Sequence, residues 1–174
     1  MSDRVFLLVA TLSGTLLGAV AGFGFAVMLE PVKAWFATHK IRKALYYEIL
    51  SDYCLLEIQR RRGAGSVSVD KVASFIKTLI SVENYTNAKA KPETFHDLNE
   101  AAHIEVVYAG LKALREDAGS PKIQEYMESC IRHIEGMIAA NILDRQAILE
   151  VCPSKFRDKI VGLMDGTVKP YGTT

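Results

Sequence analysis

The sequence predicts an all-α protein, with a single N-terminal transmembrane helix followed by a cytoplasmic antiparallel helical bundle of about four main helices plus short C-terminal helices. Three observations predict this fold class: an uncharged apolar run at residues 5–29, long segments with apolar residues every three or four positions, and few prolines. We expect a short flank at 1–4, the transmembrane helix at 5–29, a helical domain at 30–166 and a flexible tail at 167–174.

The N-terminal run is long enough to cross a bilayer. Its 25 residues form a helix of roughly 37 Å at about 1.5 Å per residue, against a hydrocarbon core of about 30 Å. The alternative is a cleaved signal peptide whose A-x-A site is formed by Ala19 and Ala21. Because the apolar run continues past that site as far as Leu29, we expect an uncleaved anchor.

Basic residues predict the orientation of this anchor. Arg4 stands alone on the N-terminal side, whereas Lys33, Lys40, Arg42 and Lys43 follow the run. Short basic flanks remain in the cytoplasm, so the N-terminus should lie outside and the C-terminal domain in the cytoplasm. Either these four residues only fix the topology, or each also adds on the order of 1 kcal/mol of attraction to anionic membrane lipid.

Small residues form a ridge along the predicted span. They recur every four positions, at Ala10, Gly14, Gly18, Gly22 and Ala26. Such a ridge lets two helix backbones approach closely in a membrane. It predicts association with a second copy or with another transmembrane helix, unless it merely reflects the glycine-rich composition of membrane helices.

The cytoplasmic helices follow in order. Pro31 suits the first position of a new helix, whose apolar face is Ile41, Leu45, Ile49, Tyr53 and Leu56. A second helix begins after the capping residue Ser68 and buries Val72, Phe75, Ile76, Leu79 and Ile80. The polar segment that follows, up to Pro92, reads as a connection without a helix.

Two further main helices complete the predicted domain. The third runs from Pro92 to about Asp117, and the fourth is capped by Ser120 and starts at Pro121. The fourth has a stripe at Ile123, Met127, Ile131, Ile134 and Ile138. Short helices near 146–151 and 156–164 flank Pro153, and Gly166 ends the last one.

One constellation has metal-ligating residue types. Glu93, His96, Glu100 and His103 are spaced three, four and three apart, which places them on one stripe of the predicted third helix. Di-iron bundles need the Glu-x-x-His motif twice, and it occurs once here. We therefore expect no metal, no cofactor and no catalytic residue; the alternative is a membrane-tethered metal sensor or enzyme that uses His96, Glu100 and His103.

The remaining features favour an interaction protein. With 21 basic and 20 acidic residues, the chain lacks the positive charge that nucleic acid attracts. Cys54, Cys130 and Cys152 are isolated, as expected of free thiols in a reducing compartment, and Cys130 lies one turn from His133 in what should be core. The sequence predicts a membrane-anchored interaction or scaffold module, or an accessory subunit of a larger membrane complex.

Overall fold

The computed structural model describes the backbone of residues 3–63 and 69–173, and the side chains of residue 15 and of residues 18–62 and 70–173. All regular elements in these ranges are helices, and the described residues include no strand, which confirms the all-helical prediction. The elements are α1 (Asp3–Gly63), α2 (Val69–Leu79), α3 (Glu83–Lys89), α4 (Pro92–His96), α5 (Ala101–Glu116), α6 (Ile123–Ala139), α7 (Arg145–Val151), a 3-10 turn (Ser154–Phe156) and α8 (Arg157–Met164).

Two compact units make up the chain. The first comprises Met1–Ala37 and the second Thr38–Thr174, and α1 contributes residues to both. Pro31 lies inside α1, so the prediction that it opens a new helix is wrong. Proline deprives a helix of one backbone hydrogen bond, and apolar helices of the membrane type tolerate that loss.

A single hydrophobic core fills the second unit. The apolar face predicted for residues 41–56 is largely buried there, and the predicted stripe of α6 is buried throughout. In α2, Val72 and Ile76 are buried as predicted, but Leu79 in the last turn is 44% exposed. Amphipathic periodicity therefore locates the core face of these helices and fails only where a helix ends.

The predicted third helix is wrong, because the chain turns at residues 97–100 between α4 and α5. The backbone N–H of Leu98 donates to the carbonyl of Phe95 at 3.1 Å, and that of Ala101 donates to the carbonyl of Leu98 at 3.0 Å. This turn buries Phe95 and Leu98 together with the Glu100 carboxylate. The segment expected to be a plain connection also contains α3, whose first amides are hydrogen-bonded by the distant residue Glu48.

The C-terminal helices match the prediction more closely. Asp144 caps α7 by accepting from the backbone N–H of Ala147 at 2.8 Å, and Gly166 follows α8 with a φ of 72°. α6 starts at Ile123, two residues later than expected. The expected cap at Ser68 lies outside the described residues. In the segment expected to be a loose tail, Val168 and Tyr171 pack against the core.

Candidate functional site

Large apolar side chains cover the exposed surface of α1 between residues 18 and 36. Their exposed fractions range from 47% to 75%. They are Val20, Phe23, Phe25, Val27, Met28, Val32, Trp35 and Phe36. The described part of the helix is long and apolar enough to cross a membrane, and a surface of this kind is unfavourable in water.

Between residues 18 and 28, the small-residue ridge lies on the side of α1 that the large side chains leave uncovered, whereas Phe36 lies on that same side further along the helix. At about 100° per residue, the large residues from 20 to 28 span about 200° of the helix circumference, and Gly18, Gly22 and Ala26 lie within the rest. A Cβ atom added at Gly18 or Gly22 would meet no atom within 4 Å. The other two ridge members, Ala10 and Gly14, lie outside the residues whose side chains are described.

Two of the four basic residues that follow the apolar run are engaged inside the second unit. The Arg42 Nε atom lies 2.7 Å from Oε1 of Glu100, and Lys43 forms an ion pair with Glu150. Among the described side chains, no ion pair involves Lys33 or Lys40.

The structure does not bring the candidate metal ligands together on one helix. The turn at 97–100 separates His96 in α4 from His103 in α5, and both side chains are exposed. Glu93 is exposed as well, whereas Glu100 is buried and accepts from Arg42 and from the Tyr46 hydroxyl at 2.6 Å. Within the described ranges, no group of three or more His, Cys, Asp or Glu side chains is placed to hold a metal ion. The single stripe assumed by the metal hypothesis is thus not formed.

The cysteine thiols are in environments that keep them protonated. Burial raises the pKa of Cys130 to about 11 and that of Cys54 to about 12, and it also raises the pKa of Cys152. An activated thiolate needs the opposite shift. The neighbouring His133 has a buried Nε2 atom without a hydrogen-bond partner, so no acidic group orients it there. A buried, protonated Cys130 beside this histidine differs from the ion-paired thiolate of a cysteine nucleophile.

Buried carboxylates that the sequence did not reveal lie along the second half of α1. Glu48 accepts four hydrogen bonds: from the Ser81 hydroxyl at 2.5 Å, the Tyr108 hydroxyl at 2.7 Å, and the backbone amides of Asn84 and Tyr85 at 3.0 and 3.1 Å. Those amides belong to the first turn of α3, where a negative charge is favourable. Glu48 therefore fixes the position of α3 and α5 against α1.

A second buried cluster joins α1 to α6 and α8. Lys159 Nζ lies 3.2 Å from Glu57 Oε1 and 2.6 Å from Glu135 Oε1, and the Tyr53 hydroxyl donates to Glu135 at 2.7 Å. Burial alone would raise the pKa of Glu57, but hydrogen bonds from Arg60 and Lys159 outweigh it and lower the pKa to about 2. Every charged group named in this cluster has a partner of opposite charge, which is typical of a structural ion-pair network.

Compared with protein-family models, with curated proteins and with solved structures, the chain has no significant match to any of them. Its function must therefore be inferred from its own residues. The features available are an exposed apolar helix with a small-residue ridge and a helical domain held together by buried carboxylates.

Proposed function

We propose that the chain is a single-pass membrane protein whose cytoplasmic domain, an antiparallel helical bundle, serves as an interaction or scaffold module. The observation that carries this proposal is the exposed apolar surface of residues 18–36. Transfer of its large side chains into hydrocarbon would contribute on the order of 10 kcal/mol. The apolar run continues past Ala19 and Ala21 as far as Leu29, which is longer than the apolar region of a signal peptide and supports an anchor.

The proposed orientation places the N-terminus outside and the helical domain in the cytoplasm. It rests on the excess of Lys33, Lys40, Arg42 and Lys43 over Arg4. Topology is decided while the chain inserts, before the domain folds. The ion pairs of Arg42 and Lys43 in the folded domain therefore leave their contribution to topology unchanged.

We further propose that the ridge is a packing surface for a second transmembrane helix. Gly18 and Gly22 face open space on the side that the large residues between 18 and 28 leave uncovered, and small residues on one face allow close backbone contact. A second copy of this chain is the simplest partner. The alternative is a helix of a larger membrane complex in which this chain is an accessory subunit.

The test replaces Gly18 with leucine in the full-length protein and measures self-association in membranes by energy transfer between labelled copies. The matched control is Gly24→Leu, because Gly24 also faces open space but lies about 160° from Gly22 around the helix. We expect Gly18→Leu to weaken association by roughly tenfold and Gly24→Leu to leave it unchanged.

Equal association of the wild type and both variants would refute the ridge as the contact surface between copies. A monomeric wild type would refute the homo-oligomer version. In that case, a photo-cross-linking residue at position 22 should link the chain to another membrane protein. Loss of that cross-link when Gly18→Leu is added would support the accessory-subunit alternative.

A further inference from the structure

A cleft in the second unit lies between α2, α3 and α5. It has a volume of about 580 Å³, and its lining includes Lys77, Val82, Tyr85, Tyr108, Lys112 and Arg115. Clefts of this size accommodate small organic molecules. Sequence patterns did not predict this cleft, because its lining residues come from three separate helices and the turn before α3.

One wall of the cleft is aromatic and held in place. The rings of Tyr85 and Tyr108 stack with centroids 4.3 Å apart and an interplanar angle of 13°. Tyr108 is only 1% exposed, and its hydroxyl donates to Glu48. Because Tyr108 is buried and anchored through its hydroxyl, it holds the stacked Tyr85 ring in position, and the wall is preorganised for a planar or apolar group.

The rim of the cleft is positively charged. Lys77, Lys112 and Arg115 line it together with one carboxylate, Glu116. Lys112 Nζ lies 3.9 Å from Glu116 with both side chains at least 66% exposed, so this pair neutralises little charge. Among the described residues, neither Lys77 nor Arg115 takes part in an ion pair, and both charges are available to a ligand.

The buried acids behind the cleft do not take up these charges. Glu48 is already occupied by its four donors. Asp52 accepts from the backbone N–H of Ser81 at 3.2 Å through Oδ1, while its Oδ2 atom is buried without a partner. Burial raises the pKa of Asp52 to about 7, even though Arg115 acts in the opposite direction. Burial therefore disfavours the charged form of Asp52 and makes it a poor counterion for Arg115.

We propose that this cleft binds a small molecule that carries a phosphate or carboxylate on a planar or apolar body. Arg115 supplies the fork of donors suited to such an anion, and Lys77 and Lys112 act as point charges. The body of the ligand lies against the half-buried ring of Tyr85, which is stacked on the buried Tyr108. This proposal concerns the helical domain alone and does not depend on the proposed membrane anchor or on its association.

The test uses the full-length protein in phosphatidylcholine nanodiscs and titrates phenyl phosphate by calorimetry, with phenol and inorganic phosphate as partial ligands. We expect saturable binding of phenyl phosphate that is at least about tenfold tighter than that of phenol. Raising the salt concentration from about 0.05 M to about 0.3 M should weaken it severalfold.

Variants then locate the site. Arg115→Gln should weaken phenyl phosphate binding by about tenfold, and Lys77→Gln by about threefold. Lys155→Gln removes an exposed cation outside the cleft and should bind like the wild type. Near-UV circular dichroism checks that each variant is folded. Because Lys77 is exposed, Lys77→Gln keeps the test valid if Arg115→Gln fails to fold.

Three results would overturn the proposal. They are the absence of saturable binding below about 10 mM phenyl phosphate, an affinity for phenol equal to that for phenyl phosphate, and an equal loss of phenyl phosphate affinity in the two cleft variants and the control variant. A second nanodisc that contains phosphatidylglycerol identifies the source of the anion. Competition by that lipid would assign the site to an anionic headgroup, and unchanged binding would assign it to a soluble ligand.

Discussion

Substitution of Asp52 by asparagine should make the domain more stable at alkaline pH. The Asp52 side chain is 1% exposed, and only one of its oxygens has a hydrogen-bond partner. Burial, reinforced by the nearby Glu48 charge, raises its pKa from 3.8 to about 7, against the opposing effects of the Ser81 amide and Arg115. Asparagine keeps an oxygen for the Ser81 amide and removes the charge.

The magnitude and sign follow from proton linkage. Since the pKa is higher in the folded than in the unfolded state, the folded protein binds the proton more tightly, and stability is lost as the pH rises from about 4 to about 7. With the two pKa values of 3.8 and about 7, the loss between about pH 5 and about pH 8 is about 2–3 kcal/mol. Asp52→Asn should abolish this loss.

The assay is urea unfolding of the full-length protein in mild detergent, followed by the near-UV circular dichroism of its tyrosines. The free energy of unfolding is compared between wild type and variant at about pH 5 and about pH 8, where the difference should grow by about 2–3 kcal/mol. The matched control is Asp117→Asn, which removes the same charge from an exposed side chain. Equal pH-dependent differences for the two variants would show that burial of Asp52 is not the cause.

A difference between Asp52→Asn and wild type that stays constant from about pH 5 to about pH 8 would refute the reasoning. It would mean that Asp52 is already ionised at the lower pH and that water or Arg115 compensates its charge. A variant destabilised at both pH values would show instead that the added amide N–H groups cannot be accommodated at the Oδ2 position.

Two further substitutions test the buried carboxylate clusters with the same unfolding assay. Glu48→Gln should lower the free energy of unfolding by about 2–4 kcal/mol, because the α3 amides and Tyr108 lose a charged acceptor; an effect below about 0.5 kcal/mol, the size typical of surface substitutions, would contradict this role. Lys159→Met should lower the free energy of unfolding by about 3–5 kcal/mol, because it leaves two buried carboxylates short of a counterion. The control Lys155→Met, at an exposed site, should lower it by less than about 0.5 kcal/mol. Equal losses of stability in the two variants would show that Lys159 is not needed to balance the buried carboxylates.

The features that were predictable from the sequence are those that depend on neighbouring residues. The stripe of α6 is a local pattern, as is the stop of α8 at Gly166, and the structure confirms both. The break at residues 97–100 was not predictable, because it buries Glu100 against Arg42, which is 58 residues away.

The candidate functional features also divide into those that depend on neighbouring residues and those that depend on distant ones. The long apolar helix at the N-terminus follows from composition, and the described part of α1 is long and apolar enough to cross a membrane. The buried role of Glu48 depends on Tyr108, which is 60 positions away, and the cleft depends on residues of α2, α3 and α5. No periodicity within one helix encodes such contacts.

The pairing of Glu57 with Lys159 sets an order of events during synthesis. The lysine follows the glutamate by 102 residues, and the Tyr53 hydroxyl contacts Glu135, which follows it by 82. When α1 leaves the ribosome, its core-facing carboxylate still lacks this partner and must remain hydrated. An N-terminal anchor would be recognised and inserted well before α6 and α8 are made, so the domain would close only after its attachment to the bilayer is complete.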